Sequence, residues 1–587
     1  MSKMEKWDLN VLYKDFGDEF QRDVQSFKEG VADLTNYAKE NFGTKGDEVK
    51  KLETYITKIN KHSKLSKTVY FSSLTLSTDS ENIEAIKNRA KLFEVLAEMP
   101  VSQTLFQSFL KDLDIDELLS KSEILKEHEF FLKESKKNAG YRLSEAEELV
   151  FAKAKINAAS AWTNLHSQLT STLDVDIEID GEKKVLPLSL VRSMAKDSCK
   201  ETRKRAFEAE MASYSKIEKP IAAALNAIKG EANTESELRG YENVLDMTLQ
   251  SSRMDKQTLD ALLAAMKESL PMFKKYFQHK AKLLGHADGK LPFYDLFAPV
   301  GEEEIISKEE ASKFVVDNFM KFGEDLGKFT DNAIKNDWVD WSPRKGKVGG
   351  AFCSNLHPVG ESRVLMNFNG NFDEVITLAH EFGHAYHGYA LKDSTYLNSS
   401  YSMPIAEVAS TFCETIVINA ALETATEKQK LGILENNLQG SGQIIVDIYS
   451  RFLFEDAVIK KRKEGNLSVE ELKNLMIEVQ KETYGNALAD NHEYMWINKG
   501  HYYRASVNYY NYPYAYGLLF AKGLYSIYRK EGASFVPKYK ELLTATGKNS
   551  LYEVGKIAGI DVHDIEFWRA SIKEIELEIE EFIKLGL

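Results

Sequence analysis

The segment His380-Glu381-Phe382-Gly383-His384 sets two imidazoles and a carboxylate within five residues. On an α-helix, positions i and i+4 lie one above the other, so His380 and His384 project from one face and can offer two nitrogens to one zinc ion. Glu381 then falls beside the metal, not on it. A carboxylate there is suited to taking a proton from a metal-activated water. His387 lies seven residues beyond His380, about 10 Å along a helix axis, which is too far for one coordination sphere. A metzincin pattern requires Gly three and His six residues after the second His, and those places hold His387 and Ala390. His387 is therefore read as packing or as support for a ligand.

A catalytic zinc takes three protein ligands and keeps a position open. The third ligand is sought in the next helical run, Pro404-Ile405-Ala406-Glu407-Val408-Ala409-Ser410-Thr411-Phe412-Cys413-Glu414. Pro404 starts it, and the small residues Ala406, Ala409 and Ser410 allow a neighbouring helix to come close. Glu407 and Glu414 are seven residues apart and so share nearly one face. We assign Glu407 to the metal and Glu414 to a bond with a ligating imidazole. Spacing by itself also permits the reverse. A structural zinc site would be closed by a fourth protein ligand, for which Cys413 is the nearest thiol in sequence.

These side chains need two rigid helices and something to hold them. Val375, Ile376, Leu378 and Ala379 give the motif helix an apolar face, and Asn371 is placed to cap a helix starting Phe372-Asp373-Glu374. Just before it, glycines and Pro358 surround two short runs, Ala351–Ser354 and Arg363–Phe368, which predict strands joined by a turn. A strand edge beside a metal helix could take an extended peptide by β-augmentation, and a purely structural hairpin fits the same residues equally well.

Elsewhere, charged and apolar residues at helical spacing predict long helices from about Asp8 to Leu169, from Ser189 to Leu284, and in the C-terminal run Ile575–Ile583. Alternation around Asp180-Gly181 predicts a hairpin. We place a boundary there, giving an N-terminal helical lobe over residues 1–188 and a catalytic region over 189–587.

Composition limits the alternatives. Of 587 residues, 43% are apolar and 28% charged, as in an ordinary globular chain, and acidic residues outnumber basic ones by 90 to 76 for a net charge of -14. Lacking a basic stripe, the chain is not expected to bind nucleic acid or an anionic membrane. No uninterrupted apolar run predicts a membrane span or a secretory signal. Three dispersed cysteines, Cys199, Cys353 and Cys413, offer no disulfide framework, so a cytoplasmic setting is expected. Nothing in the sequence speaks to oligomeric state.

His380–His384, Ala406–Glu414, the opening Trp7-Asp8-Leu9 with Leu12-Tyr13, and a late Tyr-rich stretch together resemble the thimet oligopeptidase family of M3 zinc peptidases, most closely its oligoendopeptidase F branch. The resemblance spans nearly the whole chain. It implies a mainly α, neurolysin-like zincin fold, with two helical lobes around a deep substrate channel and a small β-hairpin or sheet beside the zinc helix. It also implies one Zn2+ per chain, with Glu407 as third ligand after His380 and His384. Short unfolded oligopeptides would be cleaved internally, with Glu381 as general base.

The Tyr-rich stretch runs from Gly500 to Gly517. Its physical reading alone gives most of these tyrosines core or stacking roles. The resemblance implies instead that His501 binds substrate and that Tyr509 and Tyr512 stabilise the oxyanion. Pro513 and the extra tyrosines depart from the family pattern, leaving Tyr510 and Tyr514 as alternatives for one of these roles. A peptide-binding protein without catalysis is the rival reading, and the intact Glu381 argues against it.

Overall fold

The computed structural model describes residues 5–179, 181–301 and 305–586. The fold is mainly α, with five short strands among the described residues: β1 (Asp174–Ile179), β2 (Glu182–Pro187), β3 (Val339–Asp340), β4 (Phe352–Leu356) and β5 (Glu361–Leu365). Contacts divide the chain into two compact units, each assembled from three stretches of sequence.

The first unit comprises Met1–Arg142, Glu304–Val417 and Ile527–Ile560. One of its apolar clusters joins Leu34, Ala38, Leu52, Tyr55, Phe106 and Leu132 from successive N-terminal helices. A second cluster buries Trp7, Leu12 and Tyr13 with Phe20 and Phe71 against Leu356 of β4 and Leu365 of β5. The opening Trp7-Asp8-Leu9 thus anchors the sheet, and the Arg363 guanidinium donates to the Asp8 carbonyl at 2.5 Å. The sheet order is β3-β5-β4, with β4 antiparallel to β5 and at the edge. Both expected strands form with shifted ends: the first extends to Leu356, and the second starts at Glu361 and stops at Leu365. A turn through Gly360, at φ 68°, joins them. The parallel strand β3 was not expected, because its two residues carry no period to recognise.

The second unit comprises Leu143–Glu303, Ile418–Ser526 and Asp561–Leu587. Its β1–β2 hairpin alternates as expected, with Val175 and Ile177 buried. Asp180 of the hairpin signal lies outside the described residues, and Gly181 supplies a positive φ of 79°. The long helix Lys256–Leu283 packs on the C-terminal helix Ile565–Leu585 through rings such as Tyr276 and Phe582, 5.5 Å apart. The C-terminal run is therefore helical, as its length suggested. Helix Glu427–Gly442 continues into a π-helical segment, Gln443–Asp447, and then into helix Ile448–Arg462. Such wide turns recur at functional sites.

Among the described residues, helix Met403–Thr424 contains an 18-residue window of mean hydropathy 1.4 and is long and apolar enough to cross a membrane, against the sequence expectation. Most of that window, 67%, is buried inside the fold, as in a core helix.

Candidate metal and catalytic site

The motif helix runs Phe372–Ala390 and begins with a reciprocal cap: the Asn371 side chain accepts from the Glu374 N–H while the Glu374 carboxylate accepts from the Asn371 N–H. That cap fixes the helix start about two turns before the motif. The partner helix, Met403–Thr424, passes against it at Gly383, where an added Cβ would meet the Ala409 carbonyl and the Ser410 Cα at 2.5 Å. Only glycine admits so close a crossing.

His380 Nε2 and His384 Nε2 stand 3.1 Å apart. Glu407 Oε2 is 3.4 Å from the first and 3.7 Å from the second. Ligands about 2.0–2.2 Å from one tetrahedral ion lie roughly 3.3–3.5 Å from each other, so the three atoms fit a zinc ion. Among the described residues, these three form the cluster able to hold a metal. Their side chains are 24%, 19% and 21% exposed, which leaves the site open on one side.

His380 Nδ1 donates to the Glu414 carboxylate. This bond fixes the tautomer and turns the Nε2 lone pair toward His384 and Glu407. Ser410 Oγ donates to Glu407 Oε2 at 3.3 Å and steadies that carboxylate. His387 takes no part: its Nε2 pairs with Thr546 Oγ1 at 2.8 Å, and its ring stacks on Tyr401 with centroids 4.0 Å apart. Cys413 is fully buried and stands outside the cluster.

Glu381 is 5% exposed, and its Oε2 is a buried acceptor without a hydrogen-bond partner. Burial pushes its carboxyl up to about 7; the positive His380 opposes this, and the negative Glu407 and Glu414 add to it. The Cys353 backbone of β4 supplies a hydrogen bond that limits the rise. Burial pulls both imidazoles down, yet Glu414, Glu381 and Glu407 outweigh it at His380 and bring that group to about 9. At His384 burial and the neighbouring His380 dominate, and the group falls to about 3. The carboxylates of Glu414, Glu381 and Glu407 around the pair favour a cation at this place.

Sequence reasoning missed Asn355. Its Nδ2 donates to the His384 carbonyl at 3.1 Å, and its Oδ1 accepts from Ser362 Oγ at 2.7 Å. A Cβ on Gly388 would lie 2.3 Å from the Asn355 Cγ, so the edge strand is fitted to the motif helix at this residue. Asn355 falls one residue past the expected strand Ala351–Ser354, and nothing in the local sequence marks it.

The structure thus brings His380, Glu381, His384, Glu407 and Glu414 together in the first unit. His501, Tyr509 and Tyr512 belong to the second unit. The His501 Nε2 is buried without a partner. Tyr509 OH donates to Asp456 Oδ1 at 3.0 Å, and Tyr512 OH to Ser252 Oγ at 2.8 Å. Tyr509 has φ 52°, a left-handed backbone that costs a bulky residue roughly 1–2 kcal/mol. Pro513, the departure from the family pattern, sits in the first turn of helix Tyr512–Glu531, where proline is favoured. The half-buried Tyr510 and Tyr514 face each other with their hydroxyls 3.2 Å apart.

Two family models match the chain: one described as Peptidase family M3 over residues 193–574, and one described as Oligopeptidase F over 110–174. The oligopeptidase PepF of Bacillus subtilis is 25% identical over 591 residues, covering 99% of this chain and 87% of the relative. A solved chain from Chlamydophila abortus has a similar fold, with a TM-score of 0.86 at 21% identity over 100% of this chain and 99% of that one. The oligoendopeptidase-F of Enterococcus faecium gives a TM-score of 0.70 at 19% identity, with 96% and 99% covered.

Proposed function

The chain belongs to Peptidase family M3 and is an enzyme, a metalloendopeptidase; from that premise we propose that it is zinc-dependent and cleaves internal bonds of short, unfolded oligopeptides. The observation that carries this reading is the triangle of His380 Nε2, His384 Nε2 and Glu407 Oε2 with the unpartnered Glu381 carboxylate beside it. When bound, zinc supplies Lewis acidity, polarising a peptide carbonyl and making water at the site more acidic.

The chain's own residues do the remaining work. Glu381, whose buried Oε2 lacks any donor, takes the proton of the attacking water and later gives it to the leaving amine. Burial keeps its proton affinity close to neutrality, which serves both directions of that transfer. Glu414 holds His380 in the tautomer that ligation needs. His501, Tyr509 and Tyr512 are proposed as donors to substrate and to the developing oxyanion, on the strength of the family pattern.

Residues 189–587 are proposed as the catalytic region and 1–188 as the N-terminal lobe. The separate matches over 193–574 and 110–174 support that division. Free Cys199, Cys353 and Cys413 support a reducing, cytoplasmic setting. Oligopeptides are the proposed partners.

The test is cleavage of an internally quenched peptide together with metal analysis. Activity abolished by a chelator and restored by zinc, with cut sites mapped inside the peptide, is the expected outcome. Cleavage indifferent to zinc removal overturns the reading.

A further inference from the structure

We propose that Lys229 and Arg451 are positioning residues that hold the Asn508–Tyr512 turn, and with it the phenols of the Tyr-rich stretch, in one register. This inference rests on the peptidase reading above, in which that stretch serves the oxyanion.

Both cations are buried in the second unit, and each is neutralised by a buried carboxylate. Lys229 Nζ donates to Glu455 Oε1 at 2.6 Å, with the two side chains 0% and 3% exposed. Arg451 pairs with Asp447, the last residue of the π-helical segment. Each cation then has donors to spare and uses one on the turn: Lys229 Nζ reaches Asn508 Oδ1 at 2.9 Å, and Arg451 Nη1 reaches Asn511 Oδ1 at 3.1 Å. Both asparagines are buried. Between them stands Tyr509 with its left-handed φ of 52°.

The arrangement makes poor sense as stabilisation alone. A buried ion pair loses so much hydration that an apolar replacement often serves stability as well or better, and its best-attested use is to specify a register. A strained backbone, in turn, persists only where its surroundings over-determine it. Here two fixed cations grip the turn on either side of the strained residue. A tyrosine turn held in this way presents its hydroxyls in a preset geometry, and small displacements of such donors are costly to rate.

Asparagine variants test this without leaving a buried charge unpaired. Asn508→Ala and Asn511→Ala should each lower kcat roughly 10- to 100-fold while KM moves by no more than about two-fold and zinc stays at one per chain. If Asn508→Ala does not fold, Asn511→Ala carries the same expectation from the Arg451 side.

Unchanged kcat in the folded alanine variants, with only a lower melting temperature, overturns the proposal. A wild-type chain without zinc-dependent cleavage overturns the peptidase reading and this inference together; wild-type cleavage with indifferent asparagine variants overturns this inference alone.

Discussion

Gly383 of the motif helix and Ser410 of the partner helix touch backbone to backbone, so that a Cβ on the glycine would stand 2.5 Å from the Ser410 Cα. This crossing sets how far Glu407 reaches toward the two histidines. Gly383→Ala forces the helices apart. It should destabilise the protein by about 1–3 kcal/mol, the usual cost of overpacking, and lower its zinc content. Denaturant unfolding with metal analysis checks this, and a variant equal to wild type in both would show that the crossing is more compliant than its geometry implies.

The motif helix was legible because its apolar period, the Asn371 cap and the His spacing agree. The partner helix was legible from Pro404 at its start and the small residues Ala406, Ala409 and Ser410 along it, and the bond from Ser410 could have been read from its i+3 distance to Glu407. Asn355 was not, because its bond to the His384 carbonyl joins residues of distant elements that only the folded chain brings together. The interleaving of each unit from three stretches was hidden for that reason too. At the Tyr-rich stretch, a left-handed Tyr509 is set by its tertiary anchors and leaves no glycine in the sequence to announce it.

In the proposed reading Glu414 acts on the metal through its bond to His380. Glu414→Ala should weaken zinc affinity about 10- to 100-fold while leaving the three ligands in place. Competition against a chelator of known affinity measures this directly. An unchanged affinity would make the His380–Glu414 bond incidental.

The tyrosines can be separated by removing one hydroxyl at a time. Tyr509→Phe and Tyr512→Phe should each reduce kcat by roughly 10²- to 10³-fold if their phenols stabilise the oxyanion. Tyr512→Phe also loses its bond to Ser252, worth about 1 kcal/mol of stability. Steady-state kinetics on the purified variants decides the register. A large loss confined to Tyr510→Phe or Tyr514→Phe would transfer the role to that facing pair.

Lys499 gives a pH dependence with a definite sign. Burial pushes its ammonium down to about 8, with Asp447 opposing the shift and Arg451 and Arg192 adding to it. An unfolded lysine titrates near 10.5, so between about pH 8 and 10.5 the unfolded chain binds more protons and stability rises with pH. Below pH 8 the folded state carries the full penalty. Lys499→Met removes this dependence. The stability difference between wild type and variant should therefore move in favour of wild type by up to roughly 3 kcal/mol across that window, read from urea unfolding at each pH. A difference independent of pH would contradict the depressed lysine.

The most direct test falls on Glu381. Glu381→Gln keeps the side chain's shape and removes its capacity to take a proton. Both proteins should carry one zinc per chain, and in the variant peptide cleavage should slow by roughly 10²- to 10⁴-fold, measured as kcat on a quenched peptide. Turnover close to wild type with zinc still bound would contradict Glu381 as the base.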